Sequence, residues 1–118
     1  MSNLLSGEFP VLTYRNLNVQ TTGSVIKAAK GQIFDLHICN QAAAIRYVKL
    51  YDKATAATSS DTPQRTYSIP ASTTVSLPVT TAGIDFQLGI GIRGTTLIAD
   101  NDNTAPTTND IVVNISYL

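Results

Sequence analysis

The fold class is decided by residues 84–92, which read Ile-Asp-Phe-Gln-Leu-Gly-Ile-Gly-Ile. An apolar residue occupies every second position of this stretch, and a period of two is typical of a half-buried β-strand rather than of a helix. The pattern predicts one continuous strand from Ile84 to Ile92. Similar alternation recurs along the chain, between segments rich in Thr, Ser, Asn, Gly and Pro. The sequence therefore predicts an all-β fold: a single antiparallel β-sandwich, immunoglobulin-like or jelly-roll-like, with seven to eight strands and an N-terminal arm.

The same period predicts the other strands, at 25–27, 32–40, 45–52, 65–69, 73–79, 95–99 and 110–118. The strands at 65–69 and 73–79 are expected to form a hairpin about Pro70-Ala71-Ser72. Because proline cannot donate to a β-ladder, Pro78 predicts that the second of these two strands lies at a sheet edge or ends there. Two long polar loops are predicted, at 53–63 and 100–109.

Residues 1–23 carry only weak patterning and are predicted to form an N-terminal arm or edge strand, whereas residues 24–118 form the sandwich domain. Within the domain, the strand at 32–40 shows how a core face is assigned. Phe34, Leu36 and Ile38 share one face of this strand, and this face is expected to point into the core.

The composition favours a chain that is packed against other molecules. The 118 residues are 43% hydrophobic, which is enough to fill one core, but only 14% are charged, and 8 basic and 8 acidic side chains cancel. A surface with so little charge gives weak protection against association, although a small domain that is simply neutral explains the same numbers. The Lys and Arg residues are scattered singly, which argues against nucleic acid as a partner. No apolar run approaches the length of a membrane span.

No motif in the sequence predicts catalysis, a cofactor or a metal site. Residues 89–94 match the dinucleotide fingerprint G-x-G-x-x-G, but here the glycines fall on a predicted strand and no helix follows to hold a phosphate. Residues 100–103 (Asp-Asn-Asp-Asn) begin like a calcium loop but lack its later Gly and Glu, so Asx turns are the preferred explanation. His37 and Cys39 share a strand face, yet two ligands do not hold zinc. The single cysteine forms no internal disulfide, as expected for synthesis in a reducing cytoplasm.

The strand at 45–52 is predicted to carry an exposed amphipathic stripe. Val48 and Leu50 face the core, so Tyr47, Lys49 and Tyr51 point to the opposite side. Tyrosine is enriched at protein interfaces and can also stack on sugar rings. The reversed assignment, in which both tyrosine rings pack into the core, remains open.

Several segments resemble a group of small proteins encoded by tailed bacteriophages and prophages, some of which are virion structural components. The resemblance spans residues 45–118, and the segments that carry it are Lys-Leu-Tyr-Asp-Lys-Ala-Thr-Ala at 49–56, Asp-Thr-Pro at 61–63, Gly-Ile-Asp-Phe at 83–86, Gly-Ile-Gly-Ile at 89–92, Ala-Asp-Asn-Asp at 99–102 and Asn-Asp-Ile-Val-Val-Asn at 109–114. It implies a phage virion β-sandwich, made in the host bacterial cytoplasm and located on the capsid surface.

The leading functional hypothesis is a capsid decoration (cement) protein that binds the lattice of the major capsid protein and forms a homo-oligomer, for which a trimer is plausible. Contacts are expected from the arm and the two loops, by strand addition and apolar burial. The expected interface residues are Phe9, Tyr14, Tyr47, Lys49, Tyr51, Asp100 and Asp102. No enzyme activity and no small molecule, nucleic acid or membrane partner is expected. The competing hypothesis is a tail-associated adhesion module that binds host glycan through Tyr47 and Tyr51.

Overall fold

A computed structural model of the chain describes residues 11–78 and 83–118. In these residues all regular structure is β, without helices. The strands are β1 Leu12–Asn16, β2 Ser24–Lys27, β3 Gly31–Asn40, β4 Arg46–Asp52, β5 Arg65–Ile69, β6 Thr73–Pro78, β7 Ile84–Phe86, β8 Ile90–Thr95 and β9 Ile111–Tyr117. The predicted all-β class is confirmed, with nine strands in the described ranges rather than seven or eight. No helix in those ranges is long and apolar enough to cross a membrane.

The strands form two antiparallel sheets that enclose one core. The five-stranded sheet has the order β1-β9-β3-β6, with β7 also paired to β3, and the four-stranded sheet has the order β2-β8-β4-β5. Buried apolar side chains from both sheets join in a single cluster, which contains Val19, Ile26, Ile33, Leu36, Ile38, Val48, Leu50, Ile69, Ile84, Phe86, Ile90, Ile92, Ile111, Val113 and Ile115. The molecule is therefore a β-sandwich.

The strand order is that of a jelly roll. β6 pairs with residues 35–40 of β3 and β7 pairs with residues 31–33, so the two act as one interrupted edge strand. Counting them together gives eight strand positions in two layers, 1-9-3-6/7 and 2-8-4-5. The first two strands lie in different sheets, whereas in an immunoglobulin-like sandwich they share one. The jelly-roll alternative of the sequence prediction is thus the one that the topology favours.

The prediction of a continuous strand over residues 84–92 is wrong, because the chain changes sheets within it. β7 belongs to the five-stranded sheet and β8 to the four-stranded sheet. At the corner between them, Asp52 Oδ1 accepts hydrogen bonds from the Leu88 N–H at 2.7 Å and the Gly89 N–H at 3.4 Å. Leu88, which the alternation placed in the core, is instead 64% exposed. The period of two survives on either side of the corner because both sheets face the same core.

The predicted hairpin of β5 and β6 is also wrong. β5 pairs with β4 and β6 pairs with β3, so the turn between them passes from one sheet to the other. Ser72 holds this turn: it has a positive φ of 52°, and its N–H donates to the Ala42 carbonyl at 2.9 Å. The edge position that Pro78 predicted for β6 is confirmed by the strand order. The strand predicted at 95–99 is absent: β8 ends at Thr95, and a loop follows.

The core face of β3 differs from the predicted one at two adjacent residues. Leu36 and Ile38 are buried as expected, but Ile33 is buried and Phe34 is only half-buried. The pairing of β3 with β9 shifts register between Ile33 and Asp35, which is a β-bulge. An extra residue at a bulge turns the preceding side chains to the other face, so strict alternation fails there.

β1 is the outer strand of the five-stranded sheet and pairs with β9 from Leu12 opposite Tyr117 to Asn16 opposite Val113. It belongs to the 1–23 segment for which an arm or an edge strand was predicted. Residues 1–10, and with them Phe9, lie outside the described residues. The division into an arm and a domain at residue 23 stays a prediction.

Candidate contact surface

The outer face of the four-stranded sheet is covered by a loop of the same chain. Val48 and Leu50 face the core as predicted, and Lys49 and Tyr51 point to the opposite side. Lys49 and Tyr51 nevertheless have almost no exposed surface. Residues 96–104 fold back over Lys49, and the Tyr51 hydroxyl lies against Arg93. The predicted exposed stripe is therefore wrong at these two residues, while Tyr47 on the same strand is half-buried.

Lys49 attaches the 96–104 loop to the outer face of the four-stranded sheet. Its Nζ donates to the Ala99 carbonyl at 2.5 Å and lies 3.4 Å from the Leu97 carbonyl. Burial lowers the pKa of the Lys49 ammonium below its usual 10.5, the carboxylates of Asp102 and Asp100 oppose this shift, and the Arg93 charge adds to it. The side chain thus acts as a donor to backbone oxygens in a site that disfavours its charge.

Arg93 connects three separate segments on the same outer face. Its Nε donates to the Thr21 carbonyl at 2.7 Å, and its Nη1 donates to Tyr51 Oη at 3.1 Å. Its Nη2 donates to Asn103 Oδ1 at 2.7 Å and to the Asp102 carbonyl at 3.2 Å. Neither Arg93 nor Lys49 takes part in the two ion pairs of the described ranges. Neutral oxygens therefore satisfy both buried cations, and the guanidinium ties the 17–23 segment and the 96–104 loop to the sheet.

Asp102 shapes the loop from within. Its Oδ2 accepts from the N–H groups of Leu97 at 3.2 Å and Thr104 at 3.3 Å, and its Oδ1 accepts from Thr104 Oγ1 at 2.9 Å. Burial opposes ionisation of this carboxyl, but these hydrogen bonds and the Lys49 charge outweigh it and hold its pKa below 3.8. The hydrogen bond from the Thr104 N–H to Asp102 forms an Asx turn. The sequence predicts such turns rather than a calcium loop for residues 100–103. No group of three or more potential metal ligands occurs among the described residues.

Leu97 and Ile98 form an apolar contact tip at the top of this loop. They are 58% and 59% exposed, although the backbone that carries them is held on both sides. The Leu97 carbonyl accepts from Thr95 Oγ1 at 2.7 Å, and the Leu97 N–H donates to Asp102. Because the tip is already ordered, a partner that buries it does not bear the entropy cost of ordering a loop. Sequence reasoning missed this tip because it assigned residues 95–99 to a strand.

The structure brings together some of the predicted interface residues and separates others. Lys49 and Asp102 interact beneath the contact tip, and Asp100 is exposed beside it. Tyr51 is joined to Asp102 only through Arg93, which donates to both. Tyr14 lies on β1 in the other sheet, packs partly against the core and accepts a hydrogen bond from Asn16 Nδ2 at 2.8 Å. A role of these residues in binding a partner stays a prediction.

Two glycines of the fingerprint-like stretch, Gly89 and Gly94, allow close approach of the chain's own backbone. A Cβ on Gly94 would lie 2.9 Å from the Val19 carbonyl oxygen and 2.8 Å from Ile111 Cδ1. The Gly94 N–H also donates to the Gln20 carbonyl at 2.9 Å. Gly94 lies in β8 with no helix after it, so this stretch lacks the geometry that holds a dinucleotide.

His37 and Cys39 lie on the outer face of the five-stranded sheet. His37 Nδ1 is 2.9 Å from Ser76 Oγ on the neighbouring β6, and the ring is exposed. Cys39 is a free thiol two residues along the same strand. His37 also lines a surface pocket together with Asp35 and Ser76, and the pair belongs to no group of three potential metal ligands among the described residues.

No model of a known protein family matches the chain, and no curated protein is significantly similar to it in sequence.

Proposed function

We propose that this chain is a structural protein of a bacteriophage virion, a capsid decoration protein that binds the major capsid protein lattice and stabilises the head. The proposal starts from the phage resemblance of residues 45–118. The observation that carries it is the contact tip: two exposed aliphatic side chains on a loop that buried polar groups hold in place.

Burial of the contact tip against a partner would contribute measurably to the free energy of binding. Complete burial of a Leu or Ile side chain contributes about 1.5–3 kcal/mol relative to full exposure. Leu97 and Ile98 are each more than half exposed, so a fitting apolar pocket on the capsid protein would gain on the order of 2–4 kcal/mol per copy from them. On a lattice, the same small contact is repeated many times, and oligomerisation of the decoration protein would multiply it further.

The low charge of the chain supports dense packing on such a lattice. Its formal net charge is zero, so neighbouring copies do not repel one another through their overall charge. The jelly-roll sandwich supplies a rigid body for this role, since such folds occur in viral capsids as well as in lectins.

The structure weakens the expected mechanism of the alternative, a tail adhesion module that binds glycan. That mechanism needs the rings of Tyr47 and Tyr51 together as a stacking platform. Tyr51 has almost no exposed surface, and its hydroxyl accepts a hydrogen bond from Arg93. Only Tyr47 of the pair reaches the surface, which leaves a single half-buried ring for a sugar.

Binding to phage heads tests the proposal. Empty heads that lack this chain, from the phage or prophage that encodes it, would be titrated with the wild-type protein and with the double variant Leu97→Ser, Ile98→Ser. We expect the double variant to bind at least about tenfold more weakly, equivalent to about 1.4 kcal/mol. The matched control is Leu88→Ser, which removes an equally exposed leucine from the corner between β7 and β8 and should bind like the wild type.

Two results would overturn the proposal. Wild-type protein that neither binds the heads nor raises their heat resistance is not a decoration protein. Specific binding to a glycan array that Tyr47→Ala abolishes would instead support the adhesion module.

A further inference from the structure

Among the described residues, the outer edge of β1 is the least protected of the sheet edges. Edge strands commonly avoid pairing with other chains through charges, prolines or bulges. Here β2 has a register shift before Lys27, and β6 contains Pro78. On β5 the only buried apolar side chain is Ile69, and none is strongly exposed. By contrast, strongly exposed apolar side chains occur on β1 and at the residues that flank it.

Three exposed aliphatic residues lie on or beside β1, two at its start and one directly after its end. Val11 is 50% exposed, Leu12 is 49% exposed and Leu17 is 45% exposed. Within the described ranges, β9 is the only strand that pairs with β1, so no described strand lies along the other side of β1. An apolar edge of this kind is a template for the addition of a further strand.

We propose that β1 pairs with β1 of a second copy of this chain, antiparallel about a two-fold axis, so that two five-stranded sheets join edge to edge. If the core faces of both sheets remain on one side, directly opposite residues must have the same parity along the strand. The axis can then pass through Thr13, Tyr14 or Arg15. An axis at Arg15 would oppose two arginines, and like charges directly opposite each other are destabilising.

The axis at Tyr14 gives the most complementary pairing. It places the half-buried Tyr14 rings opposite each other and Thr13 opposite Arg15 of the second copy. At both ends it places exposed Val11 opposite exposed Leu17, which buries two of the three exposed aliphatic residues; Leu12 lies opposite Asn16 of the second copy. An axis at Thr13 would instead oppose Val11 with the charged Arg15. The self-complementary register is the reason to choose a second copy as the occupant of this edge.

This inference is independent of the proposed function, since it uses only the β1 edge and not the contact tip. It also differs from the trimer that the phage resemblance implies, because a two-fold contact closes as a dimer.

The test measures the dimerisation equilibrium of the full chain by sedimentation equilibrium over a wide concentration range. Thr13→Lys places a second positive charge opposite Arg15, whereas Thr13→Glu places a negative charge there. Thr13 is exposed, so neither change disturbs the core of the monomer. We expect Thr13→Lys to weaken dimerisation at least about tenfold and Thr13→Glu to leave it unchanged or strengthen it.

A control and a rescue complete the design. Thr66→Lys adds the same charge to the exposed edge strand β5 and should leave the equilibrium unchanged. The double variant Thr13→Lys, Arg15→Glu should dimerise as well as the wild type, because the lysine then lies opposite a glutamate of the second copy. The inference is overturned if the chain sediments as a monomer or a trimer throughout, if the two Thr13 variants behave alike, or if Thr66→Lys separates the copies.

Discussion

Lys49 and Arg93 lie directly opposite each other on β4 and β8, and both are completely buried. Like charges in this position repel, and each loses its hydration. The arrangement persists because the two side chains donate to neutral oxygens of the 17–23 segment and the 96–104 loop. The cations therefore serve to attach loops to the outside of a sheet that already has its apolar core on the other side.

Lys49→Met should loosen this attachment. Methionine has a similar length but no donor, so the Ala99 carbonyl loses its bond and the loop is held by fewer contacts. We expect a loss of about 1–3 kcal/mol in the free energy of unfolding, with faster amide hydrogen exchange at residues 96–104 than in the strands. Lys30→Met, at an exposed lysine, is the matched control. Unchanged exchange in the loop would show that Lys49 does not hold it.

Asp52→Asn should flatten the acid dependence of stability. The Leu88 N–H donates to the Asp52 carboxylate and holds its pKa below 3.8, with burial opposing this shift. A carboxyl whose pKa is lower in the folded chain stabilises it above pH 3.8, and this contribution is lost as the pH falls through the folded-state pKa. Denaturant unfolding between neutral and acid pH should therefore show a smaller loss for Asp52→Asn than for the wild type. If the free energy of unfolding depended on pH equally in both proteins, Asp52 would not have the lowered pKa assigned to it.

Gly94→Ala should be destabilising, whereas Gly91→Ala on the same strand should not. A Cβ at Gly94 would meet a backbone carbonyl at 2.9 Å, so the chain must move, at a cost of about 1–3 kcal/mol. At Gly91 the nearest atom is Tyr51 Cβ at 3.5 Å, an ordinary contact. Because alanine lowers the conformational entropy of the unfolded chain, Gly91→Ala should leave the free energy of unfolding unchanged or raise it by up to about 1 kcal/mol. Equal effects in thermal unfolding would refute the close packing at Gly94.

Phe86→Ala should cost about 3–5 kcal/mol of stability, the usual result of removing a buried aromatic ring. Phe86 is fully buried, and the adjacent Gln87 is exposed. Gln87→Ala in the same denaturation experiment should change the free energy of unfolding by less than about 0.5 kcal/mol. A loss below about 1 kcal/mol for Phe86→Ala would mean that the core face has been assigned wrongly.

The sequence was sufficient where the signal is local. Alternation located β3, β4 and β9 within a few residues and assigned Val48 and Leu50 to the core, because the burial of one strand face requires an apolar residue at every second position. It was misleading at residues 84–92, where both halves of the pattern face one core but belong to different sheets. Alternation reports which side of a strand is buried and contains no information on which strand lies beside it.

The all-β class and most strand positions thus follow from the amino-acid sequence by itself, since they depend on spacing within short segments. The jelly-roll order, the bulge that buries Ile33 and the covered face at Lys49 and Arg93 were decided only by tertiary structure. Thr21, Lys49, Arg93 and Asn103 are separated by up to 82 positions (103 − 21) in the chain. Their hydrogen bonds form only after the sandwich has brought these segments together.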